Sequence, residues 1–81
     1  MKVRVRVFAS LREILGKNEV EVELPAGTTV EGLWTQLVSD DERLQPFTKS
    51  INFAINHDFV GKETELNPDD EIAFLPPVSG G

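Results

Sequence analysis

Eighty-one residues, 40% of them apolar and none of them cysteine, allow one domain with one modest core. They exclude disulfides, thiolate metal sites and a cysteine nucleophile. A net charge of −6 argues against nucleic acid or an anionic membrane as a partner for the whole chain, although residues 1–17 carry a local +4 and residues 18–81 a local −10.

Lys2 to Phe8 alternates without a break, with Val3, Val5 and Val7 on one face and Lys2, Arg4, Arg6 and Phe8 on the other. That period predicts a half-buried strand. No apolar run approaches membrane-spanning length, and Met1-Lys2-Val3-Arg4 has no apolar signal region, so a cytoplasmic location is expected. In Ala9–Asn18, Leu11, Ile14 and Leu15 have helical spacing and Gly16 ends the run, which predicts a single helical turn. Glu19 to Leu24 alternates again, with Val20, Val22 and Leu24 inward and three glutamates outward. Antiparallel pairing of the two strands sets Arg4 and Arg6 near those glutamates and accounts for the uneven charge as a hairpin stitched across its solvent face.

Pro25-Ala26-Gly27 breaks the second strand. Thr28 with Glu31 three residues on reads as a capping box, followed by an apolar stripe at Val30, Leu33, Trp34, Leu37 and Val38. Trp34 lies in that stripe and is expected in the core. Gly32 within the helix costs about 1 kcal/mol relative to alanine, and a close approach to the sheet would explain it. Ser39-Asp40-Asp41-Glu42 ends the helix; consecutive carboxylates do not converge in regular structure, so no metal site is expected there. Leu44 and Phe47 are expected to tuck beneath an irregular segment. Asn52–Ile55 is a short strand, Asn56-His57-Asp58 its turn with His57 an ordinary turn residue, and Phe59-Val60 a short extended piece. Asn67-Pro68-Asp69-Asp70 reads as a type I turn, and Glu71–Leu75 as the last strand. With that strand parallel to the first, the fold class is α+β, a mixed sheet with one main helix packed on one face.

Two features point outward from this core. Phe8 belongs by parity to the exposed face of the first strand, and the last strand is apolar on both faces, through Ile72 and Phe74 on one and Ala73 and Leu75 on the other. A patch of Phe8, Phe59 and Leu75 with Arg12 at its rim is therefore expected, and arginine and aromatics are the usual anchors of a protein interface. The second feature is the end of the chain, Pro76-Pro77-Val78-Ser79-Gly80-Gly81. Two prolines cannot continue a central strand, so the tail must leave the sheet. Glycines without Cβ can pass through a channel too narrow for other residues, and they deliver one carboxylate, that of Gly81. The division read from these features is a domain at 1–75 and a projecting tail at 76–81.

Phe8-Ala9-Ser10-Leu11-Arg12-Glu13, Ala54-Ile55-Asn56, Asp69-Asp70-Glu71-Ile72-Ala73 and above all Phe74 to Gly81 resemble the small, sulfur-carrying subunits of molybdopterin synthase, a family of ubiquitin-like β-grasp proteins. The resemblance runs the whole length. Related carriers for thiamine synthesis and tRNA thiolation share the Gly-Gly end but usually lack the Pro-Pro before it. Asp69-Asp70 departs from the Asp-Gly or Gly-Asp usual in the family, which bears on the turn rather than the chemistry.

The resemblance implies a carrier that is not catalytic alone and holds no permanent cofactor or metal. An adenylating activating enzyme uses ATP on the Gly81 carboxylate, and a sulfur donor of desulfurase or rhodanese type converts it to a thiocarboxylate. The tail, with Val78, Ser79 and Gly80 in the channel, then enters the large synthase subunit, within a heterotetramer. There sulfur passes to cyclic pyranopterin monophosphate. Phe8, Arg12, Phe59 and Leu75 are implied as partner contacts. The competing expectations are a modifier that joins Gly81 to lysines, a carrier for another pathway, and an interaction module with an inert tail.

Overall fold

The computed structural model describes residues 1–76. The strands are β1 (Lys2–Val7), β2 (Glu19–Glu23), β3 (Asn52–Ile55), β4 (Asp58–Val60) and β5 (Glu71–Leu75); the helices are α1 (Ala9–Leu15) and α2 (Val30–Asp40), followed by a 3₁₀ segment, Glu42–Phe47. The strands form one mixed sheet in the order β2-β1-β5-β3-β4. β5 is last of these in the chain and central in the sheet. It runs parallel to β1 and antiparallel to β3.

Alternation sorts the two faces. Val3, Val5 and Val7 from β1, Val22 from β2 and Ile72 and Phe74 from β5 turn inward onto Val30, Leu33, Trp34 and Leu37 of α2. Trp34 meets Phe74 edge to face at 5.1 Å between centroids, and Phe53 does the same from β3 at 5.4 Å. Such aromatic pairs contribute about 0.5–1.5 kcal/mol beyond the area they bury. The Trp34 indole N–H donates to Thr48 Oγ1 at 3.0 Å, so the ring is buried without an orphaned donor. Leu44 is buried beneath the 3₁₀ segment, and Phe47 packs against the core from its edge.

Four local readings are corrected. Thr29, not Thr28, caps α2: its hydroxyl accepts from the Gly32 N–H at 3.1 Å, while Thr28 donates its own hydroxyl to the Pro25 carbonyl at 2.7 Å. The shift has a cause outside the helix. The Val30 and Glu31 N–H groups donate to the carbonyls of Thr64 and Lys62, and Thr29 bridges Glu65. The segment after β4 thus supplies the acceptors that a helix start lacks. Second, Gly32 does not face the sheet; a Cβ there would meet Thr28 Cγ2 at 3.1 Å, within the helix's own entry. Third, Asp69 has φ 68° in the turn closed by the Asp70 N–H to the Asn67 carbonyl. A positive φ at the third position is the mark of type II, where glycine is usual. Fourth, Arg4 and Arg6 lie opposite Glu21 and Glu19 in register, as expected, but their ion pairs run to Glu71 on the other side, at 4.0 and 3.7 Å.

α1 runs seven residues, about two turns where the sequence predicts one, but it ends as predicted. Gly16 at φ 72° returns its N–H to the Arg12 carbonyl at 2.8 Å, the left-handed stop that glycine adopts freely.

Candidate functional site: an apolar depression on the outer face of the sheet

The face of the sheet turned away from α2 changes character from one edge to the other. On β2 and β1 it carries Glu19, Glu21 and Glu23 beside Lys2, Arg4 and Arg6. Beyond them the side chains become small. Ala73 on β5 stands next to Arg6 and opposite Ala54 on β3, and Ala54 stands opposite Phe59 on β4. Two methyl groups between larger neighbours leave a depression of about 210 Å³.

Ala54 and Ala73 form its floor, and Phe8, Phe59 and Leu75 its apolar walls. Phe8 follows β1 with extended backbone, φ −135° and ψ 161°, and so keeps strand parity while beginning the turn into α1. Its ring lies 5.8 Å from the Arg6 guanidinium carbon, within reach of a cation–π contact. Phe59 is 75% exposed, and Phe8 36%. Water-facing aromatics on one small domain, set around a shared hollow, are among the described residues a contiguous apolar surface rather than scattered exposure.

The polar rim is Arg6, Glu71 and His57. Glu71 is largely covered and shared by Arg4 and Arg6, each half-exposed. Pairs at this exposure contribute about 0.2–1 kcal/mol, so their effect is chiefly to fix the direction of Arg6.

Of the residues expected at a partner contact, the structure brings Phe8, Phe59 and Leu75 together. Arg12 is exposed on α1 and does not line the depression; Arg6 does. Val78, Ser79, Gly80 and Gly81 lie outside the described residues. Ala54, Ala73, His57 and Glu71 were not anticipated as lining. Strand parity would have placed Ala73 beside Leu75, but the facing of Ala54 needs the register of two strands far apart in sequence.

A second hollow of about 420 Å³ lies on the helix side, between Trp34, Thr35, Thr48, Ile51 and the two lysines 49 and 62. Trp34 and Thr48 are already bonded to each other there, and Glu31 pairs with Lys62 at 3.7 Å. Among the described residues no three His, Asp or Glu side chains are grouped as a metal site requires, and no helix is long and apolar enough to cross a membrane.

Comparison with known proteins adds a second line. The ThiS family model matches residues 5–81. The molybdopterin synthase sulfur carrier subunit of Chlamydomonas reinhardtii is 36% identical over the full length of both chains. That of Escherichia coli is 34% identical, over 98% of this chain and 99% of its own. The solution structure of small archaeal modifier protein 1 from Methanosarcina acetivorans superimposes with a TM-score of 0.81 and 32% identity, over 99% of this chain and 96% of that one. The α+β sheet with one helix on its face is thus the ubiquitin-like β-grasp arrangement.

Proposed function

The chain belongs to the ThiS family, and on that footing we propose that it is the sulfur carrier of a molybdopterin synthase, with the Gly81 carboxylate as the group that carries sulfur. The observation that supports this most directly is the shared position of Leu75. It is the last residue of β5 and also a wall of the depression. A partner seated on the depression therefore grips the root of the tail, and the sequence beyond ends in two residues without side chains.

The chemistry asks for such a division of labour. A carboxylate is a poor electrophile because attack on it must expel an oxide-like leaving group. In the proposed sequence a carboxylate oxygen of Gly81 attacks the α-phosphorus of ATP on an activating enzyme, and pyrophosphate leaves. A persulfide on the sulfur donor then attacks the acyl carbon and AMP leaves, which gives an acyl disulfide. A second thiol attacks the donor's cysteine sulfur, forms a disulfide there and releases the thiocarboxylate, whereas free sulfide gives it in one step. In the large synthase subunit the sulfur, now the nucleophile, passes to cyclic pyranopterin monophosphate, and water returns the acyl group to the carboxylate. One difficult substitution is divided into easier ones. Bases and cations come from the partners. This chain contributes the acyl group, a tip slender enough to reach it, and the docking surface.

Phe8, Phe59 and Leu75 make the apolar contact in this reading, with Arg6 at its rim and Arg12 at its margin. Relatives named as subunits of molybdopterin synthase support a large-subunit partner. Likeness to an archaeal modifier keeps conjugation to lysine as the reading to be separated, because it begins with the same adenylation.

Incubation with an adenylating enzyme of the family, ATP and a sulfide source should raise the mass of the intact protein by about 16 Da, oxygen replaced by sulfur. Addition of the large subunit and the pterin substrate should then restore the original mass. Absence of the gain with a competent enzyme overturns the reading. Adducts to other proteins, lost when Gly81 is deleted and without sulfur gain, would establish the modifier instead.

A further inference from the structure

We infer that Asn56 and Asp70 are positioning residues for the depression: their side chains lock the β3–β4 turn to the start of β5 and so hold Phe59 in the register that makes it a wall. The inference rests on the proposed docking role for its activity readout, but not for its structural one.

β4 is three residues long, lies at the sheet edge and, among the described residues, pairs only with β3. Its register is set by a two-residue turn, because Ile55 faces Asp58 and Ala54 faces Phe59. Asn56 and His57 have φ 49° and 78°. Two positive values identify a type I′ turn, which favours Asn-Gly. Histidine at the second place weakens that local preference. A slip of one residue would carry Phe59 to the opposite face of the sheet.

The turn is held from outside instead. The Asn56 side-chain carbonyl accepts from the Glu71 N–H at 3.1 Å, and its side-chain amide donates to Asp70 Oδ1 at 3.2 Å. The Asn56 backbone N–H donates to the Glu71 carbonyl at 2.9 Å. Asp70 Oδ2 accepts from the Asn67 N–H at 2.8 Å. Asp70 is the buried charged residue of the described chain, 9% exposed, and both its oxygens are engaged by the two turns. The link continues through Glu71, whose carboxylate holds Arg6, which lies over Phe8. Both aromatic walls are thus tied to one node at the head of β5.

The hydrogen-bond pattern supplies its own control. Asn56→Asp sets a carboxylate against that of Asp70. In the double variant N56D/D70N the donor and acceptors exchange places, and every bond named above can form again.

Hydrogen exchange is read first, by NMR on the full chain. Asn56→Asp should speed exchange of the Asp58 and Val60 amides, the ones β4 donates to β3, at least about ten-fold with those of Val5 and Ile72 unchanged, and N56D/D70N should reverse this. Adenylation kinetics are read second. Asn56→Asp should raise KM about ten-fold with kcat within about two-fold, and the double variant should recover it. On a Phe59→Ala background Asn56→Asp should add less than about two-fold, because it acts through that ring. If Asn56→Asp does not fold, Asp70→Asn alone, a milder loss of one bond, is measured in the same way. Unaltered exchange at Asp58 and Val60, or effects of Asn56→Asp and Phe59→Ala that multiply, would overturn the inference. If wild-type protein is not adenylated at all, the proposed function falls, and the exchange measurement still decides whether the link holds the turn.

Discussion

Ala54 and Ala73 face each other across the β3–β5 ladder, and their two methyl groups are all that fills the floor of the outer-face depression. A larger side chain at this point occupies the space a partner would enter, on a face that contributes little to the core. Ala73→Leu is therefore expected to weaken binding to the large subunit at least about ten-fold, or ~1.4 kcal/mol. Stability in urea should move by no more than about 0.5 kcal/mol. Titration calorimetry and denaturation on the same preparation test both halves.

Phe59 offers the complementary experiment. Its ring is 75% exposed, so the fold gains little from it. Phe59→Ala should leave unfolding within about 0.5 kcal/mol of wild type. Loss of partner affinity should reach about 2 kcal/mol, as for an aromatic anchor that becomes buried on docking. A large fall in stability would instead make Phe59 a structural residue.

Of the four non-glycine residues with positive φ among those described, two occupy turn positions where glycine is the usual choice. His57 and Asp69 have φ 78° and 68°. An L-residue other than glycine pays about 1–2 kcal/mol there, and glycine returns about 0.5–1 kcal/mol of that as backbone freedom in the unfolded chain. Both His57→Gly and Asp69→Gly should raise unfolding free energy by roughly 0.5–1 kcal/mol. Urea midpoints at unchanged slope are the measurement.

The two threonines before α2 should separate cleanly. Thr29→Ala removes the bond to the Gly32 N–H and should cost about 1 kcal/mol. Thr28→Ala removes only an exposed bond to the Pro25 carbonyl, and its loss should be the smaller of the two in paired denaturation curves.

Asp41 supplies a pH prediction. Its carboxylate accepts from the Arg43 side chain and backbone, and these bonds hold it below the usual aspartate range. A depressed folded value means that the stabilising contribution is whole above the unfolded-chain value and disappears as pH falls through the folded one. NMR titration should find Asp41 below an ordinary aspartate, and Arg43→Ala should move it upward. Arg43 is exposed while the Asp41 side chain is largely covered, so added salt should shrink the difference only in part.

Local periodicity carried most of the architecture. The valines of β1 and the stripe from Val30 to Leu37 each need only their own neighbours to declare a face. What the sequence did not reveal depends on contacts between distant segments. Thr29 takes the cap because residues 62–64 supply carbonyls to the helix start. Arg6 turns to Glu71 because β5 enters beside β1. The alanine floor has no signature of its own, since a small residue becomes a hollow only once its register neighbours are known. Phe8, Phe59 and Leu75 were legible as surplus apolar side chains; that they surround one space was not readable before the strand order.

That order also bears on biosynthesis. With β5 between β1 and β3, a chain halted before residue 71 holds two unconnected ribbons and no continuous sheet. The hollow would be missing its Ala73 base and its Leu75 side. A polypeptide that stops short of the final strand thus lacks the surface proposed for docking, so the depression exists only once translation has passed Leu75.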